Sequence, residues 1–196
     1  EGYPRLVAGL DSKDNNKLII MHRAERSGDW QTVASYQRKA GSFSPLAFSQ
    51  DGAAVYGVSD ATTNTMALAK LDIATGAETL LMVSEDADIF PIFSFKNGRA
   101  AELIGASFEY DQLGSHFMTE VQDKAASSTI QGLLAAFPNK AVKLTSATAD
   151  NKLMILEVAS ANDPRAFYLF DAEKKQIGFL LDAAPWFVNQ TLPQTQ

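Results

Sequence analysis

The chain has no cysteine. That excludes a disulfide scaffold, a thiolate nucleophile and a cysteine-ligated metal. Histidine is nearly as scarce, with His22 and His116 alone in 196 residues. No apolar run approaches the 18 residues that a membrane-spanning helix needs. Basic stripes are missing too: Lys174-Lys175 is the largest cluster, and the net charge is -6. Nucleic-acid binders carry concentrated positive charge, so no nucleic-acid partner is expected, and no membrane partner either. The first residues, EGYPRLVAG, lack the basic-then-apolar order of a signal peptide. They read as a start in the middle of a domain, and the chain is expected to be a piece of a longer protein.

What is present is a soluble-type composition, 46% hydrophobic and 20% charged, with strand signals throughout. Strands are expected near 18–23, 32–36, 46–48, 54–59, 66–72, 79–83, 92–95, 101–110, 116–118, 142–147, 153–159, 166–170 and 178–181. Turns are expected at Asp51-Gly52, Thr75-Gly76, Asn97-Gly98 and Asn162-Asp163-Pro164, where Gly, Asn and Asp accept the backbone angles that turns require. One stretch, TEVQDKAASSTIQGLLAAFPNK, reads as helical. Thr119 and Gln122 have capping-box spacing. Ile130, Leu133, Leu134 and Phe137 lie on one apolar stripe, Pro138-Asn139 stops the helix, and Ser127-Ser128-Thr129 is a place where it could divide.

The sequence also repeats itself. SQDGAAVYGVS places Asp51 21 residues before Asp72, and TADNKLMILEV places Asp150 21 residues before Asp171. The hairpins LAKLDIATGAETLL and AFYLFDAEKKQIGFLL follow, so the two stretches match over about 30 residues at an offset of 99. A weaker copy opens the chain, with Asp14 before one strand and Trp30 opening the next. Four-stranded units at 40–50-residue spacing are the mark of propeller blades. The expected fold is therefore mainly all-β, a partial β-propeller of about three and a half to four blades of antiparallel strands with one inserted helix. The blades are placed at about 5–46, 47–88, 89–118 and 142–187, with the helical insertion at 119–138. A β-sandwich would explain the strands but not the 21-residue spacing found twice.

Several motifs recur in order: SGDW, FSQDG, LDIATG, a helix ending in FPNK, Asn162-Asp163-Pro164, YLFD, and Ala184-Pro185-Trp186. This ordered set resembles the C-terminal part of the propeller domain of bacterial prolyl oligopeptidase-like serine peptidases, the S9 family. The resemblance covers most of the chain and is strongest in the last hairpin with its Pro-Trp pair. It implies a propeller that caps an α/β-hydrolase domain carrying a Ser-Asp-His triad, a domain absent from this chain. The implied partners are that hydrolase domain and peptide substrates, in a bacterial cytoplasm or periplasm.

Catalytic machinery is not expected within the chain, and neither is a cofactor. A nucleophile elbow needs G-x-S-x-G, and the candidates GVSDA around Ser59 and GASFE around Ser107 lack the last glycine. His22 is expected at a strand end and His116 after a turn at Leu113-Gly114-Ser115. No H-x-H or HExxH spacing supports a metal. The acidic stretch with Glu85, Asp86 and Asp88 could hold a cation or a peptide amine, but reads as a solvated loop. Trp186 reads as packing at a domain crossing, Arg165 as a loop residue, and Asn189-Gln190-Thr191 as a chance glycosylation triplet. Two hypotheses stand: a non-catalytic propeller portion of a serine peptidase, or a stand-alone propeller-like binding or scaffold module. A partial propeller leaves blade faces open, so self-association through them is expected.

Overall fold

In the computed structural model, residues 2–110, 113–160 and 164–187 are described. The described residues fall into two compact units. The first runs through residue 92 and takes in 105–110 and 114–116; the second takes in 93–104, 113 and the chain from 117 onward.

The first unit opens with β1 (Leu6–Leu10), β2 (Lys17–His22) and β3 (Gln31–Gln37), an antiparallel sheet in sequence order. β4 (Phe43–Phe48), β5 (Ala54–Ser59), β6 (Ala67–Asp72) and β7 (Glu78–Met82) form a four-stranded sheet, again in sequence order. The central strands β5 and β6 are buried at most positions, which suits their small and β-branched residues. Pro45 sits in β4, an edge strand where a missing backbone donor costs little. The core joins the two sheets: Ile20 packs with Phe43, Val55, Ala69 and Leu71, and Leu18, Val33 and Tyr36 close over them. Each large side chain buried this way contributes roughly 1.5–3 kcal/mol.

A third sheet, order β10-β9-β8, holds β8 (Ile89–Lys96), β9 (Arg99–Glu109) and β10 (Leu113–Phe117). Asn97 and Gly98 both take positive φ, 53° and 72°, in the β8–β9 turn. The second unit is completed by α1 (Lys124–Ala135) and the sheet β11 (Ala141–Ala147), β12 (Leu153–Ala159), β13 (Ala166–Asp171) and β14 (Gln176–Asp182). Leu133 of α1 packs against Met154, Leu156, Val158 and Phe170. The fold is thus mainly β, with four antiparallel sheets and one helix among the described residues. That is the make-up of a partial propeller.

The repeat seen in the sequence is realised pair by pair. Ala54 to Ser59 face Asp72 to Ala67, and 99 residues on, Leu153 to Val158 face Asp171 to Ala166. The irregularities repeat as well. A bulge at Pro45/Ala47 recurs at Leu144/Ser146, and one at Leu68/Ala69 recurs at Phe167/Tyr168. Positive φ at Gly52 and Gly76 recurs at Asn151 and Lys175. The opening sheet follows the same plan with three strands: Asp11 N–H donates to Lys17 and Arg38 N–H to Asn16, as Ser49 does to Ala54 and Ile73 to Ala53.

Four sequence expectations are corrected. β1 was not anticipated: it is an edge strand, largely exposed, and its short LVAGL run has no buried alternation. The helix is capped by Asp123, not Thr119, because the Asp123 side chain accepts from Ala126 N–H. It does not divide at Ser127-Ser128-Thr129. Ser127 is buried and its Oγ accepts from Gln131, while Thr129 Oγ1 donates to the carbonyl of Ala125 one turn back. Finally, Leu113-Gly114-Ser115 is not a turn, so His116 lies inside β10.

Candidate functional site

The repeated aspartates are turn anchors. Asp51 Oδ1 accepts from Ser49 Oγ at 2.6 Å and Ala53 N–H at 3.0 Å. Asp150 Oδ1 accepts from Thr148 Oγ1 at 2.6 Å and Lys152 N–H at 3.2 Å. Asp72 accepts twice from Thr75, through N–H at 2.8 Å and Oγ1 at 2.7 Å. Asp171 accepts from the N–H groups of Glu173 and Lys174 and pairs with Lys174 Nζ at 2.7 Å. These donors hold all four carboxyls below their ordinary value of 3.8; the side-chain partner (Ser49, Thr75, Thr148 or Lys174) is the largest cause in each case. These carboxylates are therefore engaged in holding their own turns, through side-chain and backbone donors alike.

The candidate catalytic groups do not converge. Ser59 is buried at the end of β5, and its Oγ accepts from Ala61 N–H. Ser107 lies in β9, and its hydroxyl reaches the Phe90 carbonyl at 3.4 Å. Among the described residues neither serine is hydrogen-bonded to a histidine. In the acidic loop Asp88 Oδ1 accepts from Met66 N–H at 2.8 Å, and Ser84 Oγ accepts from the N–H groups of Asp86 and Ala87. Those bonds explain the loop without a ligand, and no group of metal-binding side chains occurs among the described residues. Arg165 pairs with Glu157 at 3.7 Å. Trp186 lies in a short 3-10 turn, 69% exposed, its ring 6.2 Å from that of Phe187. Asn162-Asp163 and the Asn189 triplet lie outside the described residues.

Three arrangements escaped the sequence reading. Tyr36 Oη donates to Glu78 Oε2 at 2.8 Å, and Glu78 Oε1 is shielded from solvent with no partner. Burial, then the bond to Glu78, pushes the Tyr36 phenol above its ordinary value of 10.0. Glu102 accepts from two successive N–H groups, Gln122 at 2.7 Å and Asp123 at 3.0 Å, and so ties the entry of α1 to β9.

The third is a cationic corner at the end of the β1–β2 pair. Arg23 N–H donates to the carbonyl of Arg5 at 2.9 Å. The Arg5 guanidinium lies 4.6 Å from the Phe48 ring centre; that of Arg23 lies 4.6 Å from Trp30 and 5.8 Å from Tyr3. His22 Nε2 sits 3.5 Å from Arg5 Nη2 and edge-on to Phe48. Burial, then the Arg5 charge, lowers the His22 pKa below 6.5, favouring neutral imidazole. His22 also forms part of a shallow cleft of about 280 Å³ with Gln31, Thr32, Ile73 and Thr75.

No protein-family model matches the chain, and no curated protein matches it. Many solved structures are similar to it, three of them as follows. One is of prolyl endopeptidases (11% identical, 91% of this chain and 30% of that one, TM-score 0.46). Another is TolB from Acinetobacter baumannii (13% identical, 90% and 43%, TM-score 0.45). The third is a puromycin-hydrolyzing peptidase from Mycobacterium tuberculosis (13% identical, 85% and 25%, TM-score 0.47). The chain spans less than half the length of each. At these identities and scores the likeness says nothing about activity.

Proposed function

We propose that this chain is the non-catalytic propeller portion of a prolyl oligopeptidase-like (S9) serine peptidase. In this reading it covers the active site of an α/β-hydrolase domain outside the chain and limits entry to short peptides. The observation that supports it is the blade repeat, with pairing, bulges and positive-φ positions recurring at an offset of 99. The ordered sequence motifs give that propeller a family. A repeat unit of this kind buries its faces against neighbours and so suits a rigid cover.

The test is the reading frame that contains this chain. The proposal expects a downstream G-x-S-x-G followed by Asp and then His, and no peptide or ester hydrolysis by the chain alone. A stop codon directly after Gln196, or turnover by the chain that a single serine substitution abolishes, would overturn it. A second reading, a propeller-like binding module, is favoured by the cleft between His22, Gln31, Thr32 and Thr75. It is the reading left standing if the frame holds no hydrolase domain.

A further inference from the structure

We propose that the cleft beside Thr32 binds an extended, uncharged peptide segment by its main chain, in the place of a fourth strand that the opening sheet lacks. The three sheets that repeat one plan align by their bonds: Arg38 N–H donates to Asn16 as Ile73 does to Ala53 and Ala172 to Lys152. Five residues after those acceptors, Met21 lies opposite Thr32, Val58 opposite Leu68 and Glu157 opposite Phe167. Leu68 and Phe167 pair on their outer side with Met82 of β7 and Leu181 of β14. Thr32 has no such partner, because the first sheet ends at β3 among the described residues. The sequence supplies the reason. Asp72 and Asp171 anchor the turns that bring β7 and β14 back, whereas Gln37 holds that position in the first sheet and the chain runs on through Gly41 into β4.

The edge left over is open to pairing. Bonded and unbonded pairs alternate along an antiparallel ladder. The Arg38–Asn16 bond sets Leu18, Ile20 and His22 as the residues that bond across to β3, so Thr32, opposite Met21, turns its N–H and C=O away from β2. Thr32 is exposed and lines the cleft of about 280 Å³ together with His22, Gln31 and the β6–β7 turn. The walls meet where Gly76 approaches the Val33 carbonyl so closely that an added Cβ would lie 2.3 Å from its oxygen, which leaves room for a short segment and not for a full strand. Free strand edges recruit extended chains through main-chain hydrogen bonds. Of the lining residues only His22 can carry a charge, and its lowered pKa keeps the ring neutral near neutral pH, so the cleft suits main-chain amides and not a charged group. The site lies within the first unit and needs no domain outside the chain.

The test is an NMR titration of the full chain with the capped peptide acetyl-Thr-Val-Thr-Val-amide, with hydrogen exchange followed at the same amides. Without peptide, the Thr32 N–H should exchange freely while those of Leu68 and Phe167, each paired to a fourth strand, are protected. With peptide, saturable shifts should centre on Thr32, Thr75 and Gly76, and Thr32 exchange should slow. Of two versions N-methylated on alternate amides, one set each, the version whose methyls face Thr32 should bind about tenfold more weakly, the scale of one or two lost hydrogen bonds. Ala74→Phe, at an exposed turn position that lines the cleft, should block binding, and its melting curve confirms folding. No saturable shift, both N-methylated versions binding like the parent peptide, or undiminished binding in folded Ala74→Phe would overturn the proposal. So would a Thr32 amide already protected without peptide, the mark of an edge covered from within, or one protected only as chain concentration rises, the mark of a second copy on it.

Discussion

Gly76→Ala is expected to be one of the most damaging single-methyl changes in the chain. Gly76 has φ of +71° in the β6–β7 turn, and a Cβ there would lie 2.3 Å from the carbonyl oxygen of Val33. Two costs add. The left-handed conformation itself costs an alanine about 1 kcal/mol. The contact lies well inside any real Cβ–oxygen distance and the obstacle is backbone, so the turn must move. That turn is held by Gly76 N–H to the Asp72 carbonyl at 2.9 Å and by both bonds from Thr75 to Asp72. Losing one or two of these costs about 0.5–1.5 kcal/mol each. The total is about 2–4 kcal/mol, which for a chain of this size lowers Tm by roughly 5–15 °C.

The repeat supplies the control. Lys175 holds the equivalent position with φ of 53° and pays the same conformational cost without the clash. Lys175→Gly is therefore expected to stabilise by about 0.5–1 kcal/mol. Gly178→Ala, where an added Cβ meets nothing within 4 Å, should be close to neutral. Urea and thermal melts of the three variants measure all of this. A Gly76→Ala midpoint within error of Gly178→Ala, or a loss in Lys175→Gly equal to that of Gly76→Ala, would refute both the turn argument and the equivalence of the two hairpins.

Tyr36 has a raised pKa in the fold, so its contribution is fully present below its ordinary value of 10.0 and fades as pH rises above it. Tyr36→Phe should remove that alkaline loss while lowering stability near neutrality, because both Glu78 oxygens are then left without a partner; urea midpoints on either side of pH 10.0 check it. The turn aspartates behave in the opposite sense. Their depressed values stabilise the fold above 3.8, and that contribution is lost as pH falls below it. An Asp51→Asn/Asp150→Asn double variant keeps an acceptor but cannot titrate, so its acid-unfolding limb should be shallower, and an unchanged limb would disprove the assignment. Light scattering should show self-association of the isolated chain. Ile177, Phe179, Leu180 and Leu181 are 36–59% exposed along β14, and covering ~500 Å² of such surface gains on the order of 10 kcal/mol before association costs. A monodisperse monomer at high concentration would count against it.

The repeat was legible in the sequence because its determinants are local. Ser or Thr two residues before Asp51 and Asp150, and donors three residues after Asp72 and Asp171, fold their turns without help from elsewhere. Two of the misreadings arose where a residue on another element decided the outcome. Thr119 and Asp123 are both good capping residues by type. What distinguishes Asp123 is Glu102, on another element, which fixes the N–H groups of Gln122 and Asp123 and sets the helix start. Gly114 looked like a turn glycine but is one of close approach: a Cβ there would lie 2.3 Å from the Phe108 ring. Glycine is needed at that point of β10 because the aromatic ring occupies the space, not because the chain bends.

The same reasoning explains why the cationic corner left no trace in the sequence. A net charge of -6 and scattered arginines argue against anionic partners only if charge acts as an average. It does not at contact distance, because screening removes interactions beyond ~8 Å at physiological salt and leaves close ones in force. Arg5 and Arg23 are 18 positions apart in the chain, Phe48 is 25 beyond Arg23, and no motif joins them. The β1–β2 pairing brings the two arginines side by side, and β1 is the strand the sequence did not show. Each guanidinium has its own aromatic partners, Phe48 for Arg5 and Trp30 with Tyr3 for Arg23, so what the sequence hides is a set of contacts that strand pairing alone assembles.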